Sequence, residues 1–110
     1  MQIRSAVVNG SLGTIGIALV KQLLEKGAAV YAVAFPGDPR IARIPAGARV
    51  VECDMREIAS LTEKIPETID AFFHLAWAGA IGEGRDDMLL QTQNIRCAIE
   101  ANETAHMLGA

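Results

Sequence analysis

The chain has 110 residues, a size that suits one domain and leaves no room for two. Half of it is apolar and a fifth charged, the profile of a soluble globular protein. A net charge of -3 and a pI near 5.3 argue against nucleic acid or an anionic membrane as the main partner, while allowing a local basic spot that meets phosphate. Cys53 and Cys97 stand far apart outside any CxxC pattern, so they read as reduced, small apolar side chains and not as a disulfide or metal site. The opening MQIRSAVVNG lacks a signal-peptide core, and no apolar run is long enough to span a bilayer. A cytoplasmic location is the resulting expectation.

In chain order, Ile3 to Val8 is short and β-branched, as a buried parallel strand is. Gly10, Gly13 and Gly16 follow, and a helical pattern runs from Thr14 to Lys26, with Ile15, Leu19 and Leu23 on one face and Gly27 as its stop. Ala28 to Phe35 predicts a second strand, ended by the turn cluster Pro36-Gly37-Asp38-Pro39. Arg40 to Gly47 reads as an irregular basic connection, Ala48 to Glu52 as a short third strand, and Arg56 to Lys64 as one short helix closed by Pro66. Ile69 to Trp77 predicts a fourth strand, and a loop from Gly79 to Gly84 leads into a long helix from Arg85 to Leu108, whose Asp86 and Asp87 suit a helix start. The alternation is βαβ logic. It predicts an α/β, doubly wound parallel sheet of Rossmann type, with helices on both faces and strand order 3-2-1-4.

The glycine segment joins a strand to a helix, the context in which such a triplet carries chemistry. Gly10 permits a tight turn, Gly13 lets backbone approach a pyrophosphate, and Gly16 lets the helix pack closely. The free N–H groups and the helix dipole favour an anion there. A turn that merely needs three small residues is the plainer alternative. His74, inside an apolar strand, reads as a core histidine with one satisfied nitrogen, and His106 as a surface or capping residue. Trp77 either shapes the floor of a ligand site or packs a strand end. Gly79 to Gly84 either meets substrate or is a flexible connection.

The GxxGxxG spacing of NGSLGTIG, Asp54 in ECDMRE, His74-Leu75-Ala76-Trp77 and Asn94 in QTQNI together resemble the extended short-chain dehydrogenase/reductase superfamily. More narrowly the chain resembles its NAD(P)-dependent epimerase/dehydratase family, which acts on nucleotide sugars. Asn9 stands where that family usually has threonine. The resemblance implies a dinucleotide held by Gly10, Leu12, Gly13, Thr14, Ile15 and Gly16, by Phe35 and Arg40 beyond the second strand, and by Asp54 and Met55 after the third. Leu75, Ala76 and Trp77 would lie beside the nicotinamide ribose, and Asn94 in the long helix completes the set.

The resemblance also implies a Tyr-x-x-x-Lys pair beyond a fifth strand. The chain contains neither, its only tyrosine being Tyr31 in the second strand, so no catalytic residue is assigned. The 110 residues read as the N-terminal part of one NAD(P)-binding domain, with the substrate-binding part absent and no turnover expected. The family's acidic position at the end of the second strand falls on Ala34. Arg40 can reach a phosphate while Asp38 points to solvent, so the cofactor leans to NADP. A fourth strand with no protective charge is an open edge, inviting a homodimer or strand-edge pairing. The expected function is the cofactor half of an oxidoreductase that oxidises a sugar hydroxyl. A non-catalytic NAD(P)H-sensing module is the alternative, and a flavin or nucleoside-phosphate binder a third.

Overall fold

The computed structural model describes residues 2–110. Four strands, β1 (Ser5–Asn9), β2 (Ala29–Ala34), β3 (Arg49–Glu52) and β4 (Ala71–His74), form one parallel sheet in the order β3-β2-β1-β4. The two central strands are buried on both faces. Ala6, Val8, Val30 and Ala32 meet α1 (Thr14–Glu25), whose Val20 and Leu23 cover that side. The alternate residues Val7, Tyr31 and Val33 meet the opposite layer, where Ile58, Leu61, Ile69 and Ala101 come from α2 (Leu61–Lys64), α3 (Met88–Met107) and their connections. This is the period-two division that a sheet covered on both faces requires.

Several boundaries differ from the sequence reading. Strand pairing continues to Asn9 but stops at His74 in β4, well short of Trp77. The cause is Gly10, whose φ of 94° turns β1 away, so β4 loses its partner after one last bond from Leu75 N to Asn9 O of 2.8 Å. On α1 the buried stripe is Gly16, Val20 and Leu23, and Ile15 is 73% exposed instead of sharing a core face with Leu19 and Leu23. The inward face of α1 is pressed so closely on the glycine loop at residue 16 that a Cβ there would collide with the Gly10 carbonyl, and with Gly16 on that face Ile15 is turned outward.

The stretch after Pro36 is not wholly irregular. Pro39–Arg43 is a 3-10 turn capped by Asp38. The single helix expected over Arg56 to Lys64 is two pieces, a 3-10 turn at Met55–Ser60 and then α2. The first piece is itself kinked at Glu57 (φ -120°, ψ 30°), with the Cys53 thiol within reach of the Asp54 and Glu57 carbonyls at 3.4 and 3.5 Å and Leu61 N turned to Ile58 and Ala59. The last helix starts at Met88, not Arg85, because the Asp87 carboxylate accepts Leu89 N and Leu90 N and sets the cap there. Among the described residues no helix is long and apolar enough to cross a membrane.

Candidate functional site

The carboxyl ends of the four strands open on a cavity of about 410 Å³. Gly10, Leu12 and Gly13 from the glycine loop line it, as do Phe35, Asp38 and Arg40 beyond β2, and Leu75, Ala76 and Trp77 beyond β4. A second cavity of about 270 Å³ adjoins it through shared Phe35, Met55 and Ala78, and reaches Asp54, Asn94 and Cys97. The two make one groove across the sheet rim at the point where strand order reverses from β1. Of the residues singled out in the sequence, eleven line this groove: nine in the first cavity, with Met55 among them, plus Asp54 and Asn94 in the second. Thr14, Ile15 and Gly16 do not line it. Thr14 and Ile15 are exposed on the first turn of α1, and Gly16 is buried beneath the loop.

The three glycines have different physical reasons. Gly10 has a left-handed backbone, and a Cβ there would lie 2.7 Å from Ala76 N and 2.8 Å from the Leu75 carbonyl carbon. The turn therefore lies directly against the chain leaving β4. Gly16 is demanded by the close approach of α1 to Gly10 and Ser11. Gly13 is demanded by nothing in the protein: its φ of -79° suits any residue, and a Cβ would meet nothing within 4 Å. It occupies the cap position of α1 with cap-like extended geometry and no capping side chain, and the first turn carries no acidic residue. The opening N–H groups of that helix consequently have no internal acceptor. Ser11, fully buried, ties the loop to the sheet through Oγ to Val33 O at 2.9 Å.

Each arginine at the groove has a local partner. Arg40 donates through Nε (3.1 Å) and Nη2 (2.9 Å) to the two oxygens of Asp38. Arg56 makes the same pair with Asp54, Nη2 to Oδ2 being 2.5 Å. Each aspartate also caps its own 3-10 turn by accepting the arginine's backbone N–H at 2.9 Å. The guanidinium bonds, then the backbone bonds, hold both carboxyls below the usual carboxylate range. Asp38 lines the cavity and is partly buried, so it does not simply point into solvent as its place beyond Pro36 suggested. Arg40's bidentate partner is this carboxylate.

Beyond β4 the chain is clamped from α3. Asn94, 1% exposed, accepts Ala78 N at 3.0 Å and donates to Ala78 O at 2.7 Å. Gln91 donates to Gly79 O and Gly84 O at 3.3 and 3.0 Å and accepts the Trp77 indole N–H at 2.8 Å. His74 sits in β4 with Nδ1 accepting from Asn9 Nδ2 at 2.9 Å, and its buried Nε2 has no partner among the described residues. Burial pushes its pKa below 6.5. Tyr31 is a core residue whose hydroxyl accepts from Arg49 at 3.2 Å, with the guanidinium carbon 5.6 Å from the ring centroid. Both cysteines are buried and free, and burial raises the Cys97 thiol.

Sequence reasoning did not identify Ser11, Gln91 or the structural work of Asp38. Gln91 was the most accessible of these, since it stands three residues before Asn94 on the same helical face. Ser11 offered only a hydroxyl inside a glycine loop. The Asp38–Arg40 and Asp54–Arg56 pairs share one Asp-x-Arg spacing, which local turn geometry converts into a bidentate contact.

The model of the NAD dependent epimerase/dehydratase family matches residues 6–110. Among solved structures, a UDP-glucose 4-epimerase superposes with a TM-score of 0.80 at 27% identity, over 94% of this chain and 32% of its own. A UDP-galactose 4-epimerase gives 0.81 at 23% identity, over 96% and 35%. The Thermus thermophilus UDP-glucose 4-epimerase in complex with NAD gives 0.79 at 19%, over 96% and 34%. The latter two similarities establish the fold alone. The chain spans about a third of the length of these solved relatives. No curated protein matches it. With a family model matched over nearly its whole length, the chain belongs to the NAD dependent epimerase/dehydratase family.

Proposed function

We propose that the groove binds a nicotinamide dinucleotide and that residues 1–110 are the N-terminal, cofactor-binding part of an oxidoreductase acting on a nucleotide sugar. The observation that carries this reading is Gly13. Neither backbone conformation nor packing explains a glycine there, but a diphosphate seated on the bare start of α1 does, because a side chain would stand in its place. The residues present fit such a group. The α1 N–H groups meet the diphosphate, Phe35 and Met55 flank the adenosine end with Asp54 and Asn94 beyond, and Leu75 to Trp77 take the nicotinamide end. When bound, the cofactor supplies a hydride acceptor and donor. The chain's own part is to anchor the diphosphate, hold the segment beyond β4 in place through Asn94, and cover one side of the ring. Sugar binding and proton transfer fall to residues outside these 110. A cytoplasmic setting, in which Cys53 and Cys97 stay reduced, belongs to the same proposal, as does pairing of the outer edge of β4 with a further strand or a second copy.

The cofactor we assign is NADP. No carboxylate stands at Ala34 to hold ribose hydroxyls, Glu52 beside it in β3 is taken by Gly37 N at 2.7 Å, and Asp38, which lines the groove, is already paired with Arg40. The guanidinium keeps donors that Asp38 does not use, and these suit a 2′-phosphate. Titration of the chain with NADP and NAD by calorimetry tests both levels of the proposal. NADP is expected to bind more tightly, with Arg40→Ala removing the difference. A preference for NAD reverses the cofactor assignment, and failure to bind either dinucleotide removes the functional reading.

A further inference from the structure

Trp77 is the chain's one tryptophan, and it is 46% exposed while lining the groove. Large apolar side chains left that open usually have freedom to move. This one is tied at its polar edge: its indole N–H donates to Gln91, which is itself held by Gly79 O, Gly84 O and an Asn94 Nδ2 donor at 3.2 Å. Asn94 in turn grips both backbone groups of Ala78, the next residue. One hydrogen bond to the ring, three more on Gln91 behind it and two on the neighbouring Ala78 backbone thus set the orientation of a ring that the protein packs only in part. Such an arrangement is preorganisation, since the ordering cost is met before any ligand arrives. It leaves the indole as a ready aromatic surface.

The ligand expected against it follows from the groove's layout. With the diphosphate at Gly13 and the adenosine end beyond β2, the opposite half of a dinucleotide extends toward β4. That half carries a flat ring which is a pyridinium cation when oxidised and neutral when reduced. An indole face attracts a cation through its quadrupole and has no such term for the neutral ring.

Resting on the dinucleotide reading above, we infer that Trp77 is a preset platform for the nicotinamide ring that favours the oxidised over the reduced cofactor. Gln91 acts through it as a positioning residue. At a half-exposed site the preference amounts to about two- to fivefold in affinity.

The test uses the chain with NADP+, NADPH and 2′-phospho-ADP-ribose, which keeps the adenosine and diphosphate but has no nicotinamide. Affinities are measured by calorimetry and Trp77 emission by fluorescence. Both cofactors are expected to change the emission, with NADP+ about two- to fivefold tighter, and the ring-less analogue is expected to bind without changing it. Trp77→Leu is expected to equalise the two affinities. Gln91→Leu is expected to lower Trp77 anisotropy and to shrink the preference while the tryptophan remains, which separates positioning from loss of the ring. Cofactor binding that leaves Trp77 emission unmoved, an equal response to the ring-less analogue, or a preference that survives Trp77→Leu overturns this inference and leaves the dinucleotide reading standing. Absence of any binding by calorimetry overturns both.

Discussion

Gly13→Asp is expected to make the protein more stable and to abolish dinucleotide binding. The backbone of Gly13 already has the extended geometry of a helix cap. Asp38, Asp54 and Asp87 show what an aspartate does in that setting, each accepting N–H groups of the turn it precedes. A Cβ at residue 13 meets nothing within 4 Å, so no steric cost opposes the change. Relative to glycine, the capping bond contributes a few tenths of a kcal/mol. The negative charge at the helix start adds ~0.3–1 kcal/mol. A combined gain near ~1 kcal/mol raises the melting temperature by roughly 4–8 °C in a domain of about this size. The same carboxylate takes the N–H groups intended for the diphosphate and repels it. Losing two charge-assisted bonds at ~1.5–3 kcal/mol each lowers affinity at least about a hundredfold. Thermal melts and calorimetric titration with NADP read the two effects separately. A variant that melts lower than the parent, or that binds the dinucleotide as the parent does, refutes the account of Gly13.

Gly10→Ala is expected to do the opposite, costing at least ~2 kcal/mol in urea denaturation, because its φ of 94° penalises a Cβ that also lands 2.7 Å from a backbone nitrogen. Asn94→Leu leaves Ala78 N–H and C=O without partners at ~1–3 kcal/mol each, so denaturation and a fall in Trp77 anisotropy are expected together. His74 makes stability depend on pH. Burial holds its folded pKa below 6.5, so the unfolded chain binds the proton more readily. Its contribution is complete above pH 6.5 and is lost as pH falls through and below that value. Denaturation midpoints at pH 7.5 and 5.5 are expected to separate further in the parent than in His74→Asn, and an equal separation counts against the burial account.

What the sequence made legible was set by local chemistry. The βαβ alternation, the 3-2-1-4 order and the glycine loop follow from periodicity and from residues whose conformational range is narrow. The unread features depend on contacts between segments distant in the chain. β4 ends at His74 because Gly10, more than sixty residues earlier, turns its partner strand away. Ile15 is exposed because Gly16 is pressed on the loop that precedes it, although hydrophobic spacing alone favours the Ile15–Leu19–Leu23 face. The helix after Cys53 kinks at Glu57, where the chain wraps closely around the buried Cys53 thiol. The Asp-x-Arg pairs lay between these cases: both residues were visible, but only the 3-10 turns following Asp38 and Asp54 bring each guanidinium back onto its aspartate.

Those pairs sharpen the argument for the helix start as the anion site. A chain of net charge -3 that binds a diphosphate needs positive potential where the phosphates rest. The two arginines at the groove supply little of it, because each is joined to a carboxylate that cancels its charge. The first turn of α1 has no acidic side chain and no cap, so its N–H groups and dipole keep their full attraction. Local preference would place aspartate, serine or threonine at residue 13, as the chain places aspartate before three of its other helical segments. At the groove the two 3-10 turns keep their aspartate caps while α1 forgoes one, and in the proposed reading a bound diphosphate offsets that local cost. Arg40 then has a secondary role, since a 2′-phosphate gains from it only what Asp38 does not already hold. In the proposed reading, therefore, substitution of Arg40 shifts the NADP-to-NAD preference while diphosphate binding stays with the backbone.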